Sequence, residues 1–573
     1  MQCTGNSVVK GFLKAEGTNF VNADGEKVVL TGYAISGWQN PEGFMVGQHP
    51  IGMDNVFPKD DDRNYHRFDR RRSISQTVRE LCGSEYLLTF WDRWESAYIG
   101  EADIAKMAEM GFNCVRIVLN ANALLEEEPG IRFNEGAFTR LSRILDWCEQ
   151  YRIYAVLDMH ATVGGVCGIC GDSLFHHYPS LLMDAESRER QIILWEELCR
   201  RFHDRWILAG YDLANEPVST PPAYFAIPLL TDFYHECISR MRRIDHGAHI
   251  FFLEGPAFAR SNEIFDHDFD PEYHNWALNV HIYDADCSMK DLYPYLLKRH
   301  ELAIPVWISE CGSAAINNAA FFDICAQLGI GWSIWTWKVA ENCRDAYRCN
   351  VQPLPKEWDR IIAFLKGGPR PSYDDSKKIF DEYIENLLFE NCRINEDYPR
   401  ISQKRPDIDL PGAFYDMFRP DGSRYLGNWM LSNYLNFRPE DHTKLVWAVN
   451  KKTPFPDFSF DCGPCERETY SPATDLALEL NAGEDAFYSV RRVRKTCQLT
   501  VEGTGAGMAE LFCNGELLGK IEFPKVPVTC PVLSGHFSIL PCEDAVIRIL
   551  VKCGTVTVTA MHFRTGDRKG DKE

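Results

Sequence analysis

The chain has 573 residues, too many for one compact core, so two or more domains are expected. With 45% hydrophobic and 25% charged residues, its composition is that of an ordinary globular protein. A formal net charge of −21 disfavours nucleic acid, anionic membranes and polyanionic substrates, and leaves a neutral ligand as the better fit.

The opening stretch "MQCTGNSVVKGFLKAEG" carries no apolar core of signal-peptide length, and no apolar run reaches the roughly 20 residues of a membrane span. Together with 21 scattered cysteines, this leads to an expectation of reduced thiols in a cytoplasm, with secretion still open if a leader precedes the given sequence. "KVVLTGYAIS" (27–36) reads as a first strand, followed by a long excursion over about 37–96. The segment 101–111 reads as a helix capped at Gly111, and "NCVRIVL" (113–119) as a second strand. Helix 137–150 then leads to "YAVLDMH" (154–160), helix 187–204 to "ILAGYDLANE" (207–216), and helix 222–243 to "HIFFLEG" (249–255). "WALNVHIY" (276–283), "PVWISECG" (305–312) and "GWSIWTWK" (331–338) complete eight apolar strands, most of them followed by a helix. Near-continuous apolar strands alternating with helices predict a parallel (β/α)8 barrel. A doubly wound open sheet is the rival, but "SGWQNPEG" after the first strand is no dinucleotide-binding turn.

After Lys366 the texture changes. An amphipathic helix is expected at about 373–392, packed on the barrel. From about Pro406 onward, short alternating strands and an Asn-Gly hairpin signal in "NGELLG" predict a β-sandwich. The expected division is therefore a catalytic barrel over 1–400 and a sandwich over 401–573.

Chemistry on such a barrel sits where the strands end. The strand ends here present Arg116, then Asp158 and His160, Asn215 and Glu216, Glu254, His281 and Tyr283, Glu310, and finally Trp335, Trp337 and Lys338. Carboxylates at the tips of apolar strands are desolvated unless they are paired or face a cleft. Two of them on facing strands, Glu216 and Glu310, suit glycoside hydrolysis. In that chemistry one carboxyl group protonates the leaving oxygen while the other, ionised, attacks carbon or activates water.

The ordered segments "LTGYAISGWQNPEGF", "GFNCVRIVL", "LDMHATVGG", "YDLANEP", "NVHIYD", "WISECG" and "GWSIWTWK" resemble glycoside hydrolase family 5, the clan A retaining β-glycosidases. The resemblance implies Glu216 as acid/base and Glu310 as nucleophile. It implies Asn215 on the sugar 2-hydroxyl, Arg116 holding Glu310 ionised, and His160 on sugar hydroxyls. His281 and Tyr283 would orient the glutamates, and Trp335 would lie under the reacting ring. No metal or organic cofactor is required, and a carbohydrate or glycoside is the partner; the oligomeric state stays open. Residues 408–566 more loosely resemble family 6/35-type carbohydrate-binding modules, with Tyr434, Phe437 and Trp447 as stacking candidates, set against a sandwich that only buttresses the barrel.

The remaining strand-end residues are read as structural (Glu254), as a paired core acid (Asp158), or as lining or backing the cleft (Trp337, Lys338). His176 and His177 read as surface residues, and the C-x-x-C pairs at 167–170 and 462–465 as neither redox nor zinc sites. The excursion after strand one, with Trp38 and Glu42, is expected to close one end of the cleft and make the enzyme exo-acting on a neutral β-glucoside or mannoside. The alternatives are a transglycosylase or a glycolipid or steryl glucoside hydrolase on the same site, and a non-catalytic sugar-binding protein.

Overall fold

The structure, a computed structural model, describes residues 7–48, 68–127, 129–167, 178–219, 221–283, 291–312, 315–343, 349–423, 425, 443–447, 454–455, 467–468 and 476–566. Eight parallel strands close a barrel in chain order: β1 (Thr31–Ile35), β2 (Cys114–Asn120), β3 (Tyr154–Ala161), β4 (Leu208–Asp212), β5 (Ile250–Glu254), β6 (Trp276–Tyr283), β7 (Val306–Gly312) and β8 (Gly331–Ile334). Every residue of β2 and β3 is buried, as expected for strands covered by side chains inside the barrel and helices outside it.

The helical layer consists of α1 (Arg71–Tyr98), α2 (Glu101–Glu109), α3 (Glu135–Tyr151), α4 (Ala185–Phe202), α5 (Ile227–Asp245), α6 (Tyr293–Glu301), α7 (Ala315–Gln327), α8 (Trp358–Leu365) and α9 (Tyr373–Asn386). Local chemistry sets their ends. The Asn134 side chain accepts from Ala137 N–H to start α3, and that of Asp184 accepts from Ser187 N–H to start α4. Gly111, at φ 87°, ends α2: its N–H bonds the Ala108 carbonyl and the Phe112 N–H bonds the Met107 carbonyl.

Three sequence expectations change. The single strand expected over 27–36 is two elements, because Lys27–Val28 belongs to a small antiparallel sheet with Lys14–Glu16 and Asn19–Val21. That sheet plugs the barrel at the end where the strands begin. Ala15 N–H reaches Asn275 Oδ1 at 2.9 Å, and Arg299 Nη2 reaches the Thr18 carbonyl at 2.7 Å. The excursion over 37–96 contains the 28-residue helix α1, with a non-helical Gly83 inside it. Trp94 of α1 stacks on Tyr383 of α9 with ring centroids 5.1 Å apart, so the two helices pack together. The strand expected over 207–216 stops at Asp212.

The C-terminal region is a β-sandwich of two antiparallel sheets. One contains Lys444–Trp447, Leu476–Asn481, Thr555–Thr565, Cys497–Gly505 and Val532–Ile539; the other contains Asp485–Val493, Cys542–Cys553, Gly507–Cys513 and Glu516–Phe523. The Asn-Gly hairpin is present, with Asn514 at φ 50° and Gly515 at φ 86°. The sandwich meets the barrel through buried charge: Lys404 Nζ lies 2.8 Å from Asp323 of α7 and 2.9 Å from Asp416. Arg492 and Gln403 donate to the carbonyls of Gly111 and Met110, in the turn that precedes β2. These contacts lie toward the ends where the barrel strands begin, away from their tips.

Candidate active site

The tips of β2 to β8 bring all eight expected residues into one connected network. Arg116 lies at its centre and is fully buried. Its Nη1 bonds Glu310 Oε2 at 2.9 Å, and its Nη2 reaches Asn215 Oδ1 at 2.7 Å, Asp212 Oδ2 at 3.0 Å and Glu254 Oε1 at 3.0 Å. Asn215 Nδ2 lies 3.2 Å from His160 Nε2, whose ring stacks on Trp335 with centroids 4.8 Å apart. Tyr283 donates its hydroxyl to Glu310 Oε1 at 2.5 Å. His281 Nδ1 lies 2.9 Å from Glu216 Oε1 and 3.7 Å from Glu310 Oε2.

Glu216 and Glu310 therefore face one another. An oxygen of each, together with a nitrogen of His281, lies within 4.8 Å of the others. Among the described residues this is the trio of His, Cys, Asp or Glu side chains close enough to hold a metal ion, but the Arg116 guanidinium already bonded to Glu310 competes with a cation there. Glu216 is reached by a sharp turn. It sits at φ 42° and Val218 at φ 49°, which lifts the carboxyl out of the β4 direction and into the mouth.

The site's charges are divided by burial and pairing. Burial drives Glu254 upward, yet His281, Arg116 and the Glu216 N–H hold it down at about 2, an anion throughout the physiological range. Burial pushes Asp212 well above the carboxylate range, with Glu254 adding to the shift and Arg116 opposing it. Burial works against a charged His281, but Glu254 and then Glu310 raise it well above an ordinary histidine. Burial raises Glu310, with Glu216 adding to the effect and His281 and Arg116 opposing it.

Two residues carry more of the site than the sequence reading assigned them. Glu254 contacts Arg116, His281 and the Glu216 backbone at once. Its position at a strand tip, like that of Glu310, was the signal available. Glu42 is half-buried, in a segment over 32–47 whose other residues are buried. Burial in the site pushes it up to about 8, with Glu310 and Glu216 adding to the shift and His160 and Arg70 opposing it.

Other residues fall outside the site. Trp38, expected beside Glu42 in the cleft wall, is fully buried and donates its indole N–H to the Val118 carbonyl. Trp337 and Lys338 pack behind the barrel: the indole bonds Asp103 Oδ1 at 2.8 Å, and Lys338 Nζ donates to the Leu387 carbonyl at 2.7 Å. Asp158 is a paired core acid, 2.9 Å from His160 Nδ1 and 3.2 Å from Arg116. His176, His177, Tyr434, Phe437 and the 462–465 cysteine pair lie outside the described residues, as does most of the pair at 167–170 and the side chain of Trp447.

The model of the cellulase family, glycosyl hydrolase family 5, matches residues 75–341. A β-xylosidase of Phanerodontia chrysosporium is 30% identical over 363 residues, covering 57% of this chain and 71% of that protein. Endoglucanase C of Acetivibrio thermocellus is 25% identical over 190 residues, 33% of this chain, and the match spans only 51% of that enzyme. A solved endogalactoceramidase aligns over 96% of this chain and 99% of its own, at 14% identity and a TM-score of 0.42. Taken with the barrel and the strand-tip carboxyl pair, the family match and the β-xylosidase relative show that the chain belongs to glycosyl hydrolase family 5 and is a glycoside hydrolase.

Proposed function

We propose that the protein is a retaining β-glycosidase that removes a terminal neutral sugar, glucose or mannose, by double displacement. The observation that carries this reading is the approach of Glu216 and Glu310 oxygens to within 4.8 Å. Carboxyl groups about 5–5.5 Å apart suit a nucleophile and an acid, whereas inversion needs about 6.5–9.5 Å to admit water between them.

In the first step Glu310 attacks the anomeric carbon, the glycosidic C–O bond breaks, and the Glu216 proton goes to the leaving oxygen. In the second, Glu216 takes a proton from water, the water oxygen bonds to the anomeric carbon, and Glu310 departs as carboxylate. Arg116 and Tyr283 each direct a donor at one oxygen of Glu310 and so stabilise the charge that returns to it. Asn215, held by Arg116 through its carbonyl oxygen, is placed to meet the sugar 2-hydroxyl with its amide N–H. Exo action is supported by the packed segment after β1, which presents Glu42 to the catalytic pair as a protonated carboxyl below about pH 8, a donor for a sugar hydroxyl.

The test is a panel of aryl β-glucosides, β-mannosides and β-xylosides, the last included because of the relative named β-xylosidase. Glu216→Ala should lose about 10²–10⁴-fold on substrates with poor leaving groups. Glu310→Ala should be inactive, and a fluorosugar should label Glu310 in the wild type. Label on another residue, or release of an inverted sugar, sinks the reading.

A further inference from the structure

Double displacement employs two carboxylates, and the barrel places another, more deeply buried, beside them. Glu254 is fully buried at the tip of β5. Its Oε2 accepts the Glu216 backbone N–H at 2.6 Å, and its Oε1 accepts from His281 Nε2 at 3.1 Å and Arg116 Nη2 at 3.0 Å. The other nitrogen of His281 meets Glu216 Oε1 at 2.9 Å. The order in space is therefore Glu254, His281, Glu216: an imidazole held between two carboxyl groups, one of which faces the site. We propose that Glu254 is a positioning residue that sets, through His281, the proton Glu216 donates and recovers; this rests on Glu216 being the acid/base of a retaining glycosidase.

The argument is one of tautomer and charge. A carboxylate at Nε2 keeps the proton on that nitrogen, so the remaining exchangeable proton lies between Nδ1 and Glu216 Oε1. The His281–Glu216 pair titrates as a unit, and its proton is available to the leaving oxygen whichever atom holds it at rest. The negative charge of Glu254 makes the pair hold that proton more tightly. Without it, Nε2 is free to become the bare nitrogen, and a fixed Nδ1–H would favour the ionised form of Glu216. The Oε2 contact adds a mechanical part, since it grips the backbone of a residue at φ 42°, a conformation L-residues avoid.

The charged groups around this pair are Glu310 from β7, Arg116 from β2, Asp212 from β4 and His160 from β3, with Glu42 from the segment after β1. Burial pushes the Glu42 carboxyl itself up to about 8, so the comparison is made in wild-type and Glu42→Gln backgrounds alike.

The experiment is kcat/KM against pH for Glu254→Gln, with a 4-nitrophenyl and a 2,4-dinitrophenyl glycoside of the preferred sugar. The alkaline limb should move down by about one pH unit or more, because an anion that raised the pair's proton affinity has gone. The loss should be large for the nitrophenyl substrate and small for the dinitrophenyl one, whose leaving group departs without a proton. Glu254→Asp, which keeps the charge, should keep the limb even where the rate falls. An unmoved limb with equal losses on both substrates, or identical Gln and Asp profiles, overturns the proposal. Should the Gln variant not fold, NMR of His281 in the wild type gives the reading: the Nε2 proton should persist at about pH 8, and its loss near the ordinary histidine value of about 6.5 overturns it. A wild type inactive on every glycoside, or a fully active Glu216→Ala, instead removes the retaining reading itself.

Discussion

Burial raises the Glu310 carboxyl, and Glu216 across the mouth adds to that shift, while His281 and Arg116 draw it back. As the proposed nucleophile, Glu310 must be ionised, so activity should fall as pH drops through this raised value. The acidic limb of kcat/KM should therefore lie above the roughly 4.3 of a free glutamate, and a limb at or below that value would contradict the assignment. Single residues also show what a sequence reveals and what it hides. Arg116, Asn215, Glu216 and Glu310 were legible because a polar group at the tip of an apolar strand is conspicuous. Glu254 had the same signature, but it meets Arg116 of β2, His281 of β6 and the Glu216 backbone in the turn after β4, which no local pattern displays. Trp38 stood next to promising neighbours and turned inward, since a buried indole with the Val118 carbonyl in reach gains both packing and a hydrogen bond.

At the scale of elements, the strands were the most legible part, because burial on both faces leaves near-continuous apolar runs. Their ends were less so. β4 stops at Asp212, and the turn that carries Glu216 depends on positive φ at Glu216 and Val218, which residue type does not announce. Helix α1 went unrecognised although Ile74, Val78, Leu81, Phe90 and Trp94 form a buried stripe along it, because Gly83 interrupts it with non-helical backbone angles. That helix also supports the mouth. Trp94 stacks on Tyr383 and donates its indole N–H to the Gly37 carbonyl at 2.9 Å, just ahead of the segment bearing Glu42. Trp94→Ala should cost about 3–5 kcal/mol, measured by chemical denaturation. A loss below about 1 kcal/mol would mean that α1 is not anchored in this way.

For the whole molecule, the alternation of strands and helices followed by strands alone made barrel and sandwich legible, while their junction was not. Asp323, Lys404 and Asp416 come together across 81 and 12 residues of chain, and nothing near any of them marks the pairing. Lys404 is almost wholly buried between the two aspartates. Lys404→Met takes the cation from Asp416 and leaves Asp323 only the longer contact to Arg491 at 3.4 Å, and the expected loss is about 3–5 kcal/mol in equilibrium unfolding. Because this junction lies away from the strand tips, kcat of the folded variant should stay close to wild type. A large fall in kcat with unchanged stability would place the sandwich in the catalytic machinery instead of beneath it.

The small N-terminal sheet, with Ala15 tied to Asn275 and Arg299 tied to Thr18, covers the rim where the barrel strands begin, so a ligand reaches the strand-tip residues from the opposite rim. Under the proposed double displacement, the alcohol freed in the first half of the cycle leaves by the rim at which water enters, and a dissolved alcohol there would compete with water for the same sugar.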